Sequence, residues 1–220
     1  MERHIAPSLL SADFLHLGRD VAFVNEHADL FHLDVMDGSF VPNISFGFPV
    51  VEAIAREAVK PLDIHLMIDN PQKYLERFCA LAPGGFVTFH LEAAREAGED
   101  PAALCRFIRS LGVRPGIAID PDVPVRELFP YVHDADLLLV MSVFAGFGGQ
   151  AFIEDTYGRV RELHAEIREE GATCLIEVDG GVGPGNAEAL AAAGVSVFVA
   201  GSSVFKAADP AAAVRAMRGV

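Results

Sequence analysis

Tryptophan is absent from this 220-residue chain, and lysine, tyrosine and cysteine occur only three times each. Lys60 precedes a strand-like run, Lys73 falls in a helix-like one, and Lys206 lies near the end. No lysine is therefore placed for the Schiff base of an aldolase or for a decarboxylating barrel that alternates Asp and Lys. Cys79, Cys105 and Cys174 are far apart, form no C-x-x-C pair and sit in helix-like or strand-like segments, so they read as reduced structural thiols, not a disulfide framework. Basic residues are outnumbered 17 to 31, net charge −14, which excludes a phosphate backbone or an anionic membrane as partner and leaves a small molecule. No apolar stretch approaches the roughly 20 residues of a bilayer span, and Met1-Glu2-Arg3-His4 carries no signal-peptide apolar region. The expectation is a soluble cytoplasmic protein. With no long Ser/Gly/Pro-rich linker, residues 1–220 read as one domain.

What is present is an alternation of short apolar runs and amphipathic segments. The runs Ile5–Leu10, Leu30–Asp34, Leu62–Met67, Phe86–His90, Pro115–Ile119, Leu137–Met141, Cys174–Val178 and Val197–Ala200 read as strands. Helical patterns follow near Phe14–Asn25, Val50–Val59, Gln72–Leu81, Pro101–Leu111, Val125–Tyr131, Tyr157–Glu170, Asn186–Ala193 and Pro210–Met217. Continuous apolar strands indicate a parallel sheet covered on both faces. Eight βα units predict an α/β fold, a closed (β/α)8 TIM barrel. Asn70-Pro71, Asp100-Pro101 and Asp209-Pro210 each place a capping residue before a proline at a helix start.

Four candidate metal ligands, His32, Asp34, His65 and Asp179, stand at or next to the C-terminal ends of strands, where barrel enzymes keep their chemistry. His32 and Asp34, two apart, point to one side of a strand. One such Asp alone is usually a turn or cap residue; four together point to a site for one divalent cation. The ligand mix suits Zn²⁺, Fe²⁺, Co²⁺ or Mn²⁺. Asp37, in Asp37-Gly38, belongs to a turn, and of Asp63 and His65 only one can face the interior at the level of the other ligands. His65 is the better placed. His90 ends a strand at the mouth and reads as a packing or hydrogen-bonding residue, while His4, His16, His27, His133 and His164 read as solvated. Glycine turns follow the last three strands: Gly146-Phe147-Gly148-Gly149, Gly180-Gly181 and Gly201-Ser202. Together they read as a phosphate cradle of backbone N–H groups that needs no basic side chain.

These strings, with Pro7-Ser8-Leu9-Leu10-Ser11-Ala12-Asp13-Phe14, His32-Leu33-Asp34-Val35-Met36-Asp37-Gly38, Phe40-Val41-Pro42-Asn43, His65-Leu66-Met67, Val178-Asp179-Gly180-Gly181 and Gly201-Ser202-Ser203-Val204-Phe205, make the chain resemble the ribulose-phosphate 3-epimerase family from end to end. The resemblance implies that His32, Asp34, His65 and Asp179 bind zinc or iron, and that Asp34 and Asp179 exchange the proton. It implies that Ser8 and His65 touch the substrate, a sugar phosphate gripped by the glycine turns. Met36, Met67 and Met141 would wall the reacting carbon, although ordinary core filling explains them equally well. The implied reaction interconverts D-ribulose 5-phosphate and D-xylulose 5-phosphate through a metal-stabilised cis-enediolate, in a homo-oligomer. A related 3-epimerase of a ketohexose 6-phosphate such as allulose 6-phosphate would use the same ligands. A reading of another class is a non-catalytic phosphosugar-binding barrel, which would bind tightly without turnover. The chain departs from the family pattern at Phe144-Ala145, where Asn-Pro is usual, and at Ser142 in place of Thr. Losing the proline predicts a less restrained loop after the sixth strand.

Overall fold

The computed structural model describes residues 2–220, so Met1 of the leader reading lies outside them. The strands are β1 (His4–Pro7), β2 (Phe31–Met36), β3 (Leu62–Met67), β4 (Phe86–His90), β5 (Arg114–Ile119), β6 (Leu137–Met141), β7 (Leu175–Asp179) and β8 (Val197–Ala200). All pair in parallel, in the order β1-β8-β7-β6-β5-β4-β3-β2. The ends meet where Ser8 bridges His32 and where Asp29 and Leu30 donate to the Ile5 carbonyl, which closes the barrel. The expected TIM-barrel class is therefore the observed one.

The helices are α1 (Leu17–His27), α2 (Phe48–Glu57), α3 (Leu75–Cys79), α4 (Leu91–Glu96), α5 (Pro101–Ser110), α6 (Thr156–Glu169), α7 (Ala187–Ala193), α8 (Ser202–Phe205) and α9 (Pro210–Arg218). Their apolar stripes cover the outer face of the strands, so that Phe31, Leu33, Ile64, Leu66, Val87, Phe89, Ile117 and Phe198 pack with Val24, Ile54, Leu104, Ile108 and Leu163 in one cluster. A second cluster fills the interior with Ala6, Phe86, Ala118, Leu137, Leu139, Val197 and Val199.

Several boundaries differ from those read in the sequence. β1 stops at Pro7, and Leu9–Ser11 turns as a 3₁₀ segment because Ser8 accepts from Leu10 N–H. Residues Phe14–His16 are also 3₁₀, capped by Asp13. Val125–Tyr131 is 3₁₀ instead of α-helical, since Pro130 inside it has no N–H to give. Asn70 does not cap; it takes the left-handed conformation at φ 52° before a 3₁₀ segment. Asp100 and Asp209 do cap, accepting from Ala102 and Ala212 N–H. Helices α4 and α8, both short, lacked a periodic signal. Cys174 lies just before β7, and burial pushes all three thiols up, Cys79 and Cys174 to about 11 and Cys105 to about 12, as suits inert free cysteines.

Strand spacing inside the barrel sets one further position. Gly116 is paired with Thr88, and a Cβ at Gly116 would lie 2.1 Å from Thr88 Oγ1. We expect Gly116→Ala to cost about 1–3 kcal/mol by overpacking. For a chain of this size that lowers Tm by about 2–12 °C. A thermal melt unchanged from wild type would contradict this account of the interior.

Candidate active site

Alternation along the strands turns His32, Asp34 and Met36 of β2 inward, together with Asp63, His65 and Met67 of β3. Register pairs His32 with Asp63, Asp34 with His65 and Met36 with Met67, so the three pairs form successive levels toward the mouth. Met141 of β6 pairs with Asp179 of β7, which brings that carboxylate to the middle level.

There four donor atoms, one each from His32, Asp34, His65 and Asp179, lie within 4.8 Å of one another. His32 Nε2 is 3.3 Å from Asp34 Oδ1 and 3.9 Å from Asp179 Oδ2. His65 Nδ1 is 3.4 and 4.0 Å from the same two oxygens. Both nitrogens are buried, and neither has a hydrogen-bond partner among the described residues. Two imidazole nitrogens and two carboxylates thus lie together without hydrogen-bonding one another, a donor set that suits a divalent cation. The residues fit such an ion.

Two further atoms of these side chains are tied down. His32 Nδ1–H donates to Asp63 Oδ2 at 2.5 Å, and Ser8 Oγ–H donates to Asp34 Oδ2 at 2.5 Å. Burial opposes charge on His32, yet Asp34 and Asp63 outweigh it and hold the metal-free ring as a cation. Burial pushes the His65 ring down to about 4, so it stays neutral. Asp179, despite being the most accessible of the four, is pushed up to about 7 by burial and by the Asp34 charge. Burial works against ionised Asp34 as well, but the charge of His32 and the close approach of the His32 and His65 rings hold it well below the usual carboxylate range. Near neutral pH one aspartate is therefore ionised and its neighbour holds a proton.

Above this floor a cavity opens toward solvent. Its wall includes Ser8, Asp34, Met36, Met67, Met141 and Asp179, and its rim is made of Gly146, Phe147, Gly148, Gly149, Gly180, Gly181, Gly201 and Ser202. No lysine or arginine lines it. Gly180 and Gly181 have φ of 118° and 61°, and a Cβ at Gly181 would meet Phe152 N at 2.7 Å, so the turn after β7 needs glycine twice.

Over residues 4–205 the chain matches the Ribulose-phosphate 3 epimerase family. The chain belongs to that family. Ribulose-phosphate 3-epimerase from Mycobacterium bovis is 45% identical over 214 residues, 97% of this chain and 91% of that one. The cytoplasmic isoform from Oryza sativa is 41% identical over 218 residues, covering 97% and 92%. A solved structure, 3-keto-L-gulonate-6-phosphate decarboxylase from Vibrio cholerae, superposes with a TM-score of 0.73 over 100% of this chain and 98% of that chain; at 17% identity it speaks for the fold alone.

Every site residue expected of this 3-epimerase chain falls in the cavity wall or directly beneath it. Asp37 is a turn residue, its carboxylate accepting from Ser39, Phe40 and Asp69 N–H. Of the five histidines read as solvated, His16 and His133 are exposed, whereas His4, His27 and His164 are half-buried. The loop after β6 is restrained in ways the missing proline did not suggest. Ala145 N–H donates to Asp120 Oδ1 at 3.2 Å, a bond no proline could make, and Gln150 donates to the Phe144 and Phe147 carbonyls. Ser142 Oγ–H lies within hydrogen-bond reach of the Asp179 and Gly180 carbonyls, so this hydroxyl does join β6 to the turn.

Sequence reasoning missed Glu177 and Arg159. Glu177 is fully buried one level below Asp179, 3.6 Å from His32 Nδ1, with burial and Asp63 raising its carboxyl well above the usual range. Its position two residues before Asp179 was the available signal. Arg159, on α6, reaches the Met141, Asp120 and Val123 carbonyls and fastens the ends of β5 and β6; nothing in the helix pattern marks it.

A pH dependence follows for the metal-free chain. Asp179 is raised in the folded state, so its protonated form stabilises the fold at low pH, and that contribution is lost as pH rises through about 7. A ligated carboxylate must give up this proton. Calorimetric titration of metal into stripped protein should therefore release more protons per ion at pH 6 than at pH 8. Equal release at the two values would contradict the assigned state of Asp179.

Proposed function

We propose that this chain interconverts D-ribulose 5-phosphate and D-xylulose 5-phosphate at C3 by two-base proton transfer. The observation that carries the proposal is the convergence of unpartnered His32 Nε2 and His65 Nδ1 with Asp34 and Asp179 on the floor of a glycine-rimmed cavity. The names of the relatives support the substrate pair.

His32, Asp34, His65 and Asp179 would hold one divalent cation, zinc or iron on the resemblance and cobalt or manganese on ligand type. When bound, the ion supplies the Lewis-acid charge that acidifies the C3 proton and balances the developing oxyanion. Asp34, ionised and oriented by Ser8, removes the C3 proton of D-ribulose 5-phosphate. Asp179 returns a proton to the opposite face, and the roles exchange in reverse. In the metal-free site burial and mutual charge already set these two chemically alike groups in different protonation states. Met36, Met67 and Met141, all buried, exclude water from the reacting carbon. Ser8, on the cavity wall, touches the sugar, whereas His65 is fully buried beneath it; the turns Gly146-Phe147-Gly148-Gly149, Gly180-Gly181 and Gly201-Ser202 offer backbone N–H groups to the phosphate. In a chain of net charge −14 this uncharged grip admits a dianion without a buried lysine.

The test is proton NMR of D-ribulose 5-phosphate with the purified, metal-loaded protein in D₂O. Deuterium entering C3 as xylulose 5-phosphate forms is the expected result. Binding without exchange would instead favour the non-catalytic barrel, and higher kcat/KM on allulose 6-phosphate the hexose reading.

We also propose a cytoplasmic homo-oligomer. No helix among the described residues is long and apolar enough to cross a membrane, and exposed Phe14, Leu15 and Ile44 offer apolar surface to a second copy. A single-chain mass in sedimentation would overturn the assembly.

A further inference from the structure

His90, at the end of β4, is fully buried against two rings. The Phe40 ring centroid is 4.8 Å away and the His65 ring centroid 5.0 Å away. His90 Nε2 is 2.9 Å from His65 Nε2. A contact between two neutral imidazole nitrogens holds one proton, so one ring donates and the other accepts. Behind His90, its Nδ1 is buried without a partner, 3.8 Å from Glu92 Oε2, which is also buried and unpartnered. The other Glu92 oxygen accepts from Asp120 N–H at 2.8 Å, which holds the carboxylate in place with Oε2 toward His90.

We propose that His90, backed by Glu92, is a positioning pair that fixes the tautomer and orientation of His65 as a metal ligand. The inference rests on the metal reading above. If His65 Nδ1 offers its lone pair to a cation, its proton must sit on Nε2. His65 Nε2–H then donates to His90 Nε2, and the His90 proton must lie on Nδ1, where Glu92 Oε2 is the facing acceptor. That gap is about 1 Å longer than a hydrogen bond, so the pairing requires the Glu92 carboxylate to move toward His90 Nδ1. Glu92 thereby selects the His90 tautomer, and His90 selects that of His65. A metal-bound imidazole held this way is both oriented and made a better donor by the acceptor behind it.

The same reasoning decides between this role and a second cation at His90, Glu92 and Asp120, whose donor atoms also lie within 4.8 Å of one another. A cation on His90 Nδ1 would move the His90 proton to Nε2. The His65 proton would then be forced onto Nδ1, closing that ring to the first ion. The single proton shared by the two histidines makes the two sites mutually exclusive.

The test uses the whole ¹⁵N-labelled protein loaded with one equivalent of Zn²⁺, with long-range proton–nitrogen correlation reading both rings. The expected pattern is His65 protonated at Nε2 and His90 protonated at Nδ1. His90→Phe, which keeps a ring beside Phe40 but removes the acceptor, should weaken Zn²⁺ binding about 10- to 100-fold in chelator competition. A His90 ring protonated at Nε2, zinc on His90 Nδ1, or a folded His90→Phe with wild-type affinity would each overturn the pairing. If His90→Phe does not fold, the wild-type spectrum alone decides. Wild-type protein that binds no zinc at all would bring down the metal reading together with this one; zinc bound with the wrong His90 tautomer would bring down only the pair.

Discussion

Asp179→Asn should reduce turnover by about 10³- to 10⁴-fold or more, because it removes both a proton donor and a ligand charge. The substitution conserves volume and leaves Gly180-Gly181 to form the same turn. The loss should therefore come without loss of fold, read as unchanged circular dichroism and a melting temperature within a few degrees. Removing the aspartate less at ease as an anion in the metal-free site costs the fold little, because burial and Asp34 already disfavour its charge. Asp34 still stands beside Ser8 in the variant. Slow exchange of the C3 proton of D-ribulose 5-phosphate, without xylulose 5-phosphate appearing, would fit Asp34 acting alone on one face. Near-normal turnover by a well-folded Asp179→Asn would defeat the two-base scheme.

Stripping the protein with a chelator should abolish turnover, and adding back a divalent transition metal should restore it. Asp34, Asp63, Glu177 and Asp179 crowd around His32, which alone cannot balance them if all ionise. A dication supplies that balance, so stability should follow activity. A ligand at about 1,000 times its Kd adds about 4 kcal/mol. For a chain of this length that raises Tm by roughly 8–16 °C. Full activity in a sample shown to be metal-free would remove the ion from the scheme, and unchanged Tm on loading would place it elsewhere. Comparing Zn²⁺, Fe²⁺, Co²⁺ and Mn²⁺ in the add-back also ranks the candidates that ligand chemistry leaves open.

Much of this site can be read before the chain is folded, and the reason is local. Strand ends are marked by where an apolar run stops, so His32, Asp34, His65 and Asp179 declare themselves at the rim that barrels use. The glycine turns are equally local, since a backbone that must curl twice after β7 can be recognised from Gly180-Gly181 alone. Helix type was less legible: Pro130 converts an apparent helix to 3₁₀, and Leu91–Glu96 is too short to show a period.

By itself the sequence determined the eight βα units, the barrel, the strand-end places of the four residues we propose as ligands, and the glycine rim, because each depends on spacing within one segment. Only the tertiary structure decided which inward residues meet across strands. Asp63 sits behind His32, Glu177 beside them, His90 behind His65, and Asp120 under Ala145. These meetings depend on stagger between strands and on loop return paths. An i, i+2 pattern tells which face a side chain takes, but not the level at which it finds its neighbour.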